Sequence, residues 1–493
     1  MTLRWLAGSI TGLVVSLAAA GGGLLGMGAA ARAEVILQAF DWSYAEVAEK
    51  AEAIAAVGYR AVLVSPPLKS ARTGGCEWWQ RYQPQDFRVI DHCDGNRDTL
   101  VLAIAALKAR GVRTYADVVV NHMANERNGA TVFPGDLTLR EYRDRQPYWS
   151  RQILYGNSTG RLDGLFGPQD FHPAACIRDY GNADSVRRDR LCGPEPDSGL
   201  PDLLDTDPAQ SWVNDQRRQY VQALYDLGIR GFRIDAAKHM PTGAIKSFIP
   251  EQVARNSHLF AEIITSAGAS SADYQQFLEP YLRDLPESFA AYDFPLFHAL
   301  RQSFSLGRPL SDLADPYARG DALANNRAVT MVISHDMPYN GPFRSLLFDQ
   351  DANSSVDEDL ASVYIMGRDG GTPLVFDDQS AGRSNNGRWR NVWNRDRLRR
   401  MIAFHNRMQG KPMQMLAADA CTLLWRRQED GIVAINKCAQ PRSITVDTRF
   451  RFQWNHPYRD MLTDSLLPEI QGPSYTFHLP PRTARMWVAL EKR

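Results

Sequence analysis

Short apolar runs alternate with stretches of helical spacing over most of this chain. Glu34–Trp42 (EVILQAFDW) is the first run, Ala45–Val57 follows with helical spacing, and Tyr59–Pro66 (YRAVLVSP) is a second buried-type run. Asp98–Arg110 reads as a helix and Val112–Val120 as a strand. The series continues through Gly231–Ala236, His258–Ile264, Ala291–Leu296, Ala328–His335 and Thr372–Phe376. β-rich runs separated by helical stretches indicate parallel β/α units. Eight such runs can be counted, the number of a (β/α)8 TIM barrel. The alternative is an open doubly wound sheet. No GxGxxG follows the first run, however, and polar residues gather at the C-terminal ends of the runs, where barrel enzymes keep their sites.

The rhythm breaks twice. From Asn121 to about Leu200 the chain is rich in Gly, Pro, Asn and Asp without a clear helical period, too long for an ordinary loop. It is expected to be an irregular domain inserted after the third strand. Beyond about Gln409, the runs Cys421–Trp425, Ile432–Asn436, Ser443–Val446, Thr476–Leu479 and Arg485–Leu490 are short and separated by turn residues. That spacing predicts a C-terminal antiparallel β-sandwich. The expected division is a signal peptide over 1–33, the barrel over 34–122 and 201–409, the insertion over 123–200 and the sandwich over 410–493.

Residues 1–33 are of a different material. Arg4 precedes an apolar and small-residue run from Leu6 to Ala30, and Ala31-Arg32-Ala33 fits a small-x-small cleavage site. The run is long enough to span a membrane, so an uncleaved anchor is the alternative. Gly21, Gly22, Gly23 and Gly26 and the cleavage site favour removal before Glu34, with the mature protein exported to a periplasm or the medium. In an exported protein the six cysteines read as disulfides. Proximity suggests Cys76–Cys93, Cys176–Cys192 and Cys421–Cys438, although six cysteines allow about fifteen pairings. None lies in a CxxC, which removes the usual zinc and thioredoxin readings. With 56 basic and 56 acidic residues the chain has no electrostatic footprint for nucleic acid, and an uncharged substrate suits it. No later segment would hold a membrane, and a monomer is expected.

Candidate chemistry centres on Gly231-Phe-Arg-Ile-Asp-Ala-Ala-Lys-His239. A period of two puts Arg233 and Asp235 on one face, where the cation should keep the acid ionised. Alone, this pattern is equally that of an edge strand with a solvated ion pair. Three other stretches change the balance: Asp117-Val-Val-Val-Asn-His122, Phe260-Ala-Glu-Ile263 and Met331-Val-Ile-Ser-His-Asp336. In this order the four resemble the sequence regions of the α-amylase family of glycoside hydrolases, and the resemblance runs from about Glu34 to the C-terminus.

The resemblance implies endo-hydrolysis of α-1,4-glucosidic bonds in starch or related glucans with retention of configuration. Such chemistry uses two carboxyl groups roughly 5–5.5 Å apart, one a nucleophile and the other an acid/base. By motif, Asp235 matches the nucleophile, Glu262 the acid/base and Asp336 a third carboxylate that orients the sugar. Asp117 is expected to support the site through hydrogen bonds. His122 and His335 match family histidines that bind the sugar at the point of cleavage, and Lys238 and His239 match further substrate contacts. Trp78-Trp-Gln-Arg-Tyr-Gln83 resembles the family loop in which Tyr82 and Trp79 stack on sugar rings beside Gln83; a buried aromatic cluster held by Cys76 is the alternative. A structural calcium ion is implied, with Asn121, Asp205 and the carbonyls of His239 and Arg187 as ligands and Asp202 as the substitute for Asp205. Without an ion, Asp205 would be an N-cap and Asn121 a turn residue. An exo-acting amylase or a transglycosylase on the same scaffold is the nearest alternative. A carbohydrate-binding protein without catalysis would have no use for three acids, and an extracellular interaction module would leave them unexplained.

Two positions depart from the family pattern. Ser334 stands where Asn usually precedes His-Asp, and Pro373 occupies the place of a second basic residue that would help Arg233 to hold an activating chloride. Proline carries no charge, so activity should not depend on chloride. Dialysis into a chloride-free buffer should leave kcat unchanged, and a many-fold fall would contradict this reading.

Overall fold

The computed structural model describes residues 34–72, 75–126, 129–156, 162–192, 199–205, 211–339, 341–349, 355–379, 387–449, 457–467, 470 and 472–490. The segment read as a signal peptide lies outside the described residues. No described helix is long and apolar enough to cross a membrane.

Eight parallel strands close into a barrel: β1 (Ile36–Phe40), β2 (Ala61–Val64), β3 (Arg113–Val118), β4 (Gly231–Ile234), β5 (His258–Ala261), β6 (Phe289–Tyr292), β7 (Ala328–Thr330) and β8 (Thr372–Asp378). β1 pairs with β2 on one side and β8 on the other, Leu37 lying opposite both Val62 and Val375. That closure excludes the open sheet. The strands are buried on both faces, which is why they read as continuous apolar runs. Between them run helices with their donors capped, among them Tyr44–Val57, whose Ser43 accepts from the Glu46 amide, and Trp212–Leu227, whose Ser211 accepts from Asn214. Gly231 opens β4 against Tyr115, and a Cβ there would fall 2.2 Å from the Tyr115 ring, so only glycine fits.

Two strands are shorter or earlier than their apolar runs. The sixth was expected at Ala291–Leu296, yet β6 ends at Tyr292 and a helix, Phe294–Phe304, begins at once. Asp293 caps it by accepting from the Leu296 amide, and Pro295 sits in its first turn. The seventh was expected to reach His335 but ends at Thr330. Met331 and Ile333 are buried without strand pairing, so their apolar character extended the run beyond the ladder.

Among the described residues, the segment after β3 contains three short α-helices, Asp136–Asp144, Gln146–Gln152 and Ala183–Arg188, rather than being wholly irregular. The first buries only Thr138 and Tyr142, four apart, a row too brief to give a period. Tyr142, Trp149 and Leu162 pack with Val89 in a small core, while Phe133, Phe166, Phe171 and Leu203 join the main one. A bridge between His122 and Asp202 ties the far end of the segment back to the residues following β3.

The C-terminal part has a six-stranded antiparallel sheet and a two-stranded one. Three of its strands were not anticipated: Met413–Ala418, Tyr458–Asp460 and Leu466–Leu467. The first is an edge strand with a register shift between Met415 and Ala417, and its sequence favours helix. Alternation along Thr422–Arg427 places Leu423 and Trp425 against the barrel core, while Leu424 packs with Ile444, Val446, Phe477 and Leu479 between the two sheets. The three disulfides are Cys76–Cys93, Cys176–Cys192 and Cys421–Cys438, the sequential couples.

Candidate active site

The C-terminal ends of β3, β4 and β5 bring three acids to one buried cation. Arg233, wholly buried on β4, donates from Nη1 to both oxygens of Asp117 at 2.8 Å and to Asp235 Oδ1 at 2.6 Å. Its Nη2 donates to Glu262 Oε1. Register explains the meeting: Ile234 lies opposite Ala261, so the residues that follow, Asp235 and Glu262, leave adjacent strands side by side. Their own amides continue the ladder, to the Val118 and Ile234 carbonyls. The chain then turns sharply at Ala236, held at φ +49°, which aims the Ala236 amide at Glu262 Oε2 at 3.1 Å. A left-handed alanine is strained, and such strain collects where geometry serves function. Asp336 comes from further away, at the start of the short helix Asp336–Tyr339, and lies near enough to Arg233 and Asp235 for their charges to act on one another.

Four carboxyl groups therefore face one guanidinium. Desolvation raises Asp235 well above the usual carboxylate range; Arg233 pulls it down, but Glu262, Asp117 and Asp336 add to the rise. The expectation that Arg233 alone would hold Asp235 low is thus corrected: burial outweighs the adjacent cation. Burial likewise pushes Asp117 up to about 6 and raises Asp336. The cluster titrates as a unit and keeps at least one proton where isolated carboxylates would have lost theirs.

Aromatic rings wall this site. Tyr82 donates to Asp117 Oδ2 at 3.1 Å and stacks on His335 with centroids 5.0 Å apart. Trp78 packs edge-on to both, half-buried, whereas Trp79 is 40% exposed, which separates it from any core cluster. Gln83 is half-buried beside them. A cleft of about 500 Å3 lies on the far side of Trp78, lined also by Asp41, Tyr339, Gln379 and Arg390. His122 Nε2 binds the Tyr82 carbonyl at 2.9 Å, leaving Nδ1 buried without a protein partner. Burial lowers His122 to about 4 and His335 to about 3, so both rings are neutral. Lys238 turns aside to the Ile264 carbonyl at 3.0 Å and lies 4.8 Å over the Phe277 ring.

No family model matches the chain. It is 44% identical over 457 residues to an α-amylase of Aeromonas hydrophila, a match that covers 92% of this chain and 95% of that protein. The chain belongs to the α-amylase family of glycoside hydrolases. It is an enzyme of that family. An α-amylase of Tribolium castaneum is 25% identical over 472 residues, covering 86% of this chain and 85% of that one. Among solved structures, α-amylase I of Eisenia fetida, a variant in complex with maltohexaose, superposes with a TM-score of 0.70 at 19% identity, over 93% of this chain and 97% of the other. A cyclomaltodextrin glucanotransferase shares the fold at a TM-score of 0.66 and 20% identity, over 92% and 99%. Likeness at such identities shows the fold alone, and the chemistry has to be argued from the site.

Part of the set expected to hold the family's calcium lies together, around Asn121, Asp202 and Asp205. Asn121 donates to Asp202 Oδ1 at 2.8 Å, and His172 Nε2 stands 3.3 Å from Asp205 Oδ1 and 3.8 Å from Asp202 Oδ2. His239 binds the Val186 carbonyl through Nδ1 at 2.9 Å, which brings it next to Arg187, whose own side chain turns to Gln276 and Phe277. Desolvation and Asp205 raise Asp202 well above its ordinary value. Two buried carboxylates, an amide oxygen and nearby carbonyls are hard oxygen donors of the kind calcium takes. Among the described residues no group of three or more His, Cys, Asp or Glu side chains forms a metal cage by itself, so carbonyl and amide oxygens would have to complete the shell.

Two further residues of this site were not anticipated. Gln38 on β1 touches His335, and the Tyr292 ring on β6 lies 5.8 Å from the Arg233 guanidinium. Gln38 carried a signal, being the one polar residue inside its strand. Tyr292 carried none, since a tyrosine in an apolar run reads as core.

The raised Asp117 makes a linkage prediction with a definite sign. Folded, it holds a proton up to about pH 6, which the unfolded chain releases near 3.8. Its contribution to stability is complete below that lower value and is lost as pH rises through the higher one. Between about pH 4 and 6 the melting temperature of Asp117→Asn should therefore gain on that of the wild type. A difference that stays flat across this window contradicts the assignment.

Proposed function

We propose that the chain is a secreted α-amylase that cleaves internal α-1,4-glucosidic bonds of starch-like glucans with retention. The observation that carries this reading is the meeting of Asp235 and Glu262 on the two terminal nitrogens of Arg233. In the first step Asp235 attacks the anomeric carbon while Glu262 gives its proton to the departing glycosidic oxygen. In the second, Glu262 takes a proton from water, which displaces Asp235 and restores the α-configuration. Arg233 pulls against the burial that raises Asp235, and the attack would use the anion that this contact stabilises.

Around these acids His335 and His122 would bind the sugar at the point of cleavage, with Tyr82 as its stacking floor and Trp79 and Gln83 serving the neighbouring unit. Lys238 and His239 would line the other side. When bound, calcium would supply structural cohesion between the inserted segment and the barrel, held by Asn121, Asp205 or Asp202, and the carbonyls of Arg187 and His239. The disulfides support export, with residues 1–33 as the leader. The division into a barrel over 34–122 and 201–409, an insertion over 123–200 and a sandwich over 410–493 belongs to this proposal.

The test is incubation with soluble starch. The wild type should release mixed oligosaccharides early, with α-anomers in the first products. Asp235→Asn should lose about 10^4-fold or more in kcat without unfolding. First products in the β-configuration, or an active Asp235→Asn, would sink the mechanism. A chelator should lower the melting temperature, and an unchanged transition would remove the calcium.

A further inference from the structure

His335 sits in an unusually determined environment. Its ring is held between Tyr82 and Phe40, both stacked on it with centroids 5.0 Å away, at interplanar angles of 9° and 21°. These contacts fix the plane of the imidazole but not which nitrogen carries the proton. That choice falls to Gln38, 3% exposed on β1, whose Nε2 lies 3.1 Å from His335 Nδ1. Gln38 and Phe40 are two apart on one strand and so share a face, one meeting the edge of the imidazole and the other its plane.

An amide NH2 can only donate, so Nδ1 must be the acceptor and the proton resides on Nε2. His335 Nε2 stands 3.7 Å from Asp336 Oδ1, beyond a hydrogen bond, on the side where the acids gather. The reverse orientation of the amide would bury two unused donors and turn a nitrogen lone pair toward Asp336. As placed, the amide uses one N–H on Nδ1 and leaves Oε1 without a partner. Leaving one buried carbonyl without a partner is unfavourable, and an apolar residue here would avoid it.

We propose that Gln38 is a positioning residue that fixes His335 as the Nε2–H tautomer, so that this N–H is presented to an oxygen of the glycosyl unit at the point of cleavage. The inference rests on the reading of His335 as a substrate-binding residue. The groups that face His335 are Asp336 from its own turn, Glu262 after β5, Arg233 on β4 and Tyr82 from the aromatic loop. None of them reaches Nδ1.

Two kinds of measurement test it. In wild-type enzyme with 15N-labelled histidine, the His335 imidazole, identified by its loss in His335→Asn, should show the pattern of a neutral ring protonated on Nε2. Gln38→Leu should blur that pattern and lower kcat about 10–100-fold with little change in KM, as for other residues that orient a functional histidine. Gln38→Glu places a carboxylate on Nδ1, which accepts only from Nδ1–H. Nε2 then carries a proton only in the imidazolium, so activity of this variant should fall as pH rises while wild type holds its rate. An Nδ1-protonated His335 in the wild type overturns the proposal, and that spectrum needs no variant at Gln38 to fold. Equal loss in Gln38→Leu and Gln38→Glu with an unaltered pH profile also overturns it. Full kcat in His335→Asn would instead overturn the role given to His335, whatever the tautomer proves to be.

Discussion

A single buried guanidinium organises the mouth of this barrel. Arg233 binds Asp117, Asp235 and Glu262 at once, from three neighbouring strands, and each of those acids would be prohibitively costly to bury without it. The fork of the guanidinium, rather than its charge alone, sets the geometry. One terminal nitrogen serves Asp117 and Asp235 and the other serves Glu262, so the two acids assigned to catalysis are held on adjacent positions of one rigid plane. The remaining features follow outward from this pairing. Tyr82 closes over Asp117, His335 stacks on Tyr82, and Gln38 meets the far edge of His335.

The same arrangement leaves an imbalance that chemistry can use. One positive charge stands against Asp117, Asp235, Glu262 and Asp336, and burial raises Asp117, Asp235 and Asp336 alike. A cluster of this kind holds a proton to higher pH than isolated carboxylates do.

Much of this was legible in the chain, for physical reasons. The strands around Asp117, Arg233 and Glu262 are buried on both faces and have no choice but to read as apolar runs, so the barrel announces itself. The end of β7 did not, because Met331 and Ile333 are buried by loop packing and mimic strand continuation. The helix Asp136–Asp144 hid because a face of two buried residues makes no period. Adjacency of Arg233 and Asp235 correctly indicated contact but misled about charge, since spacing along a strand carries no information on desolvation. Gln38 could be noticed but not interpreted, its partner being 297 positions away.

If the fork of Arg233 is what aligns the acids, kcat of Arg233→Lys on soluble starch is the most direct measurement. Lysine keeps the positive charge but offers a compact ammonium that cannot hold carboxylates on two fixed nitrogens. The account predicts a folded protein whose kcat falls about 100-fold or more, the size of loss that misplacing reacting groups by about an ångström brings. An Arg233→Lys enzyme with wild-type kcat would show that charge alone suffices, and the central claim would fail.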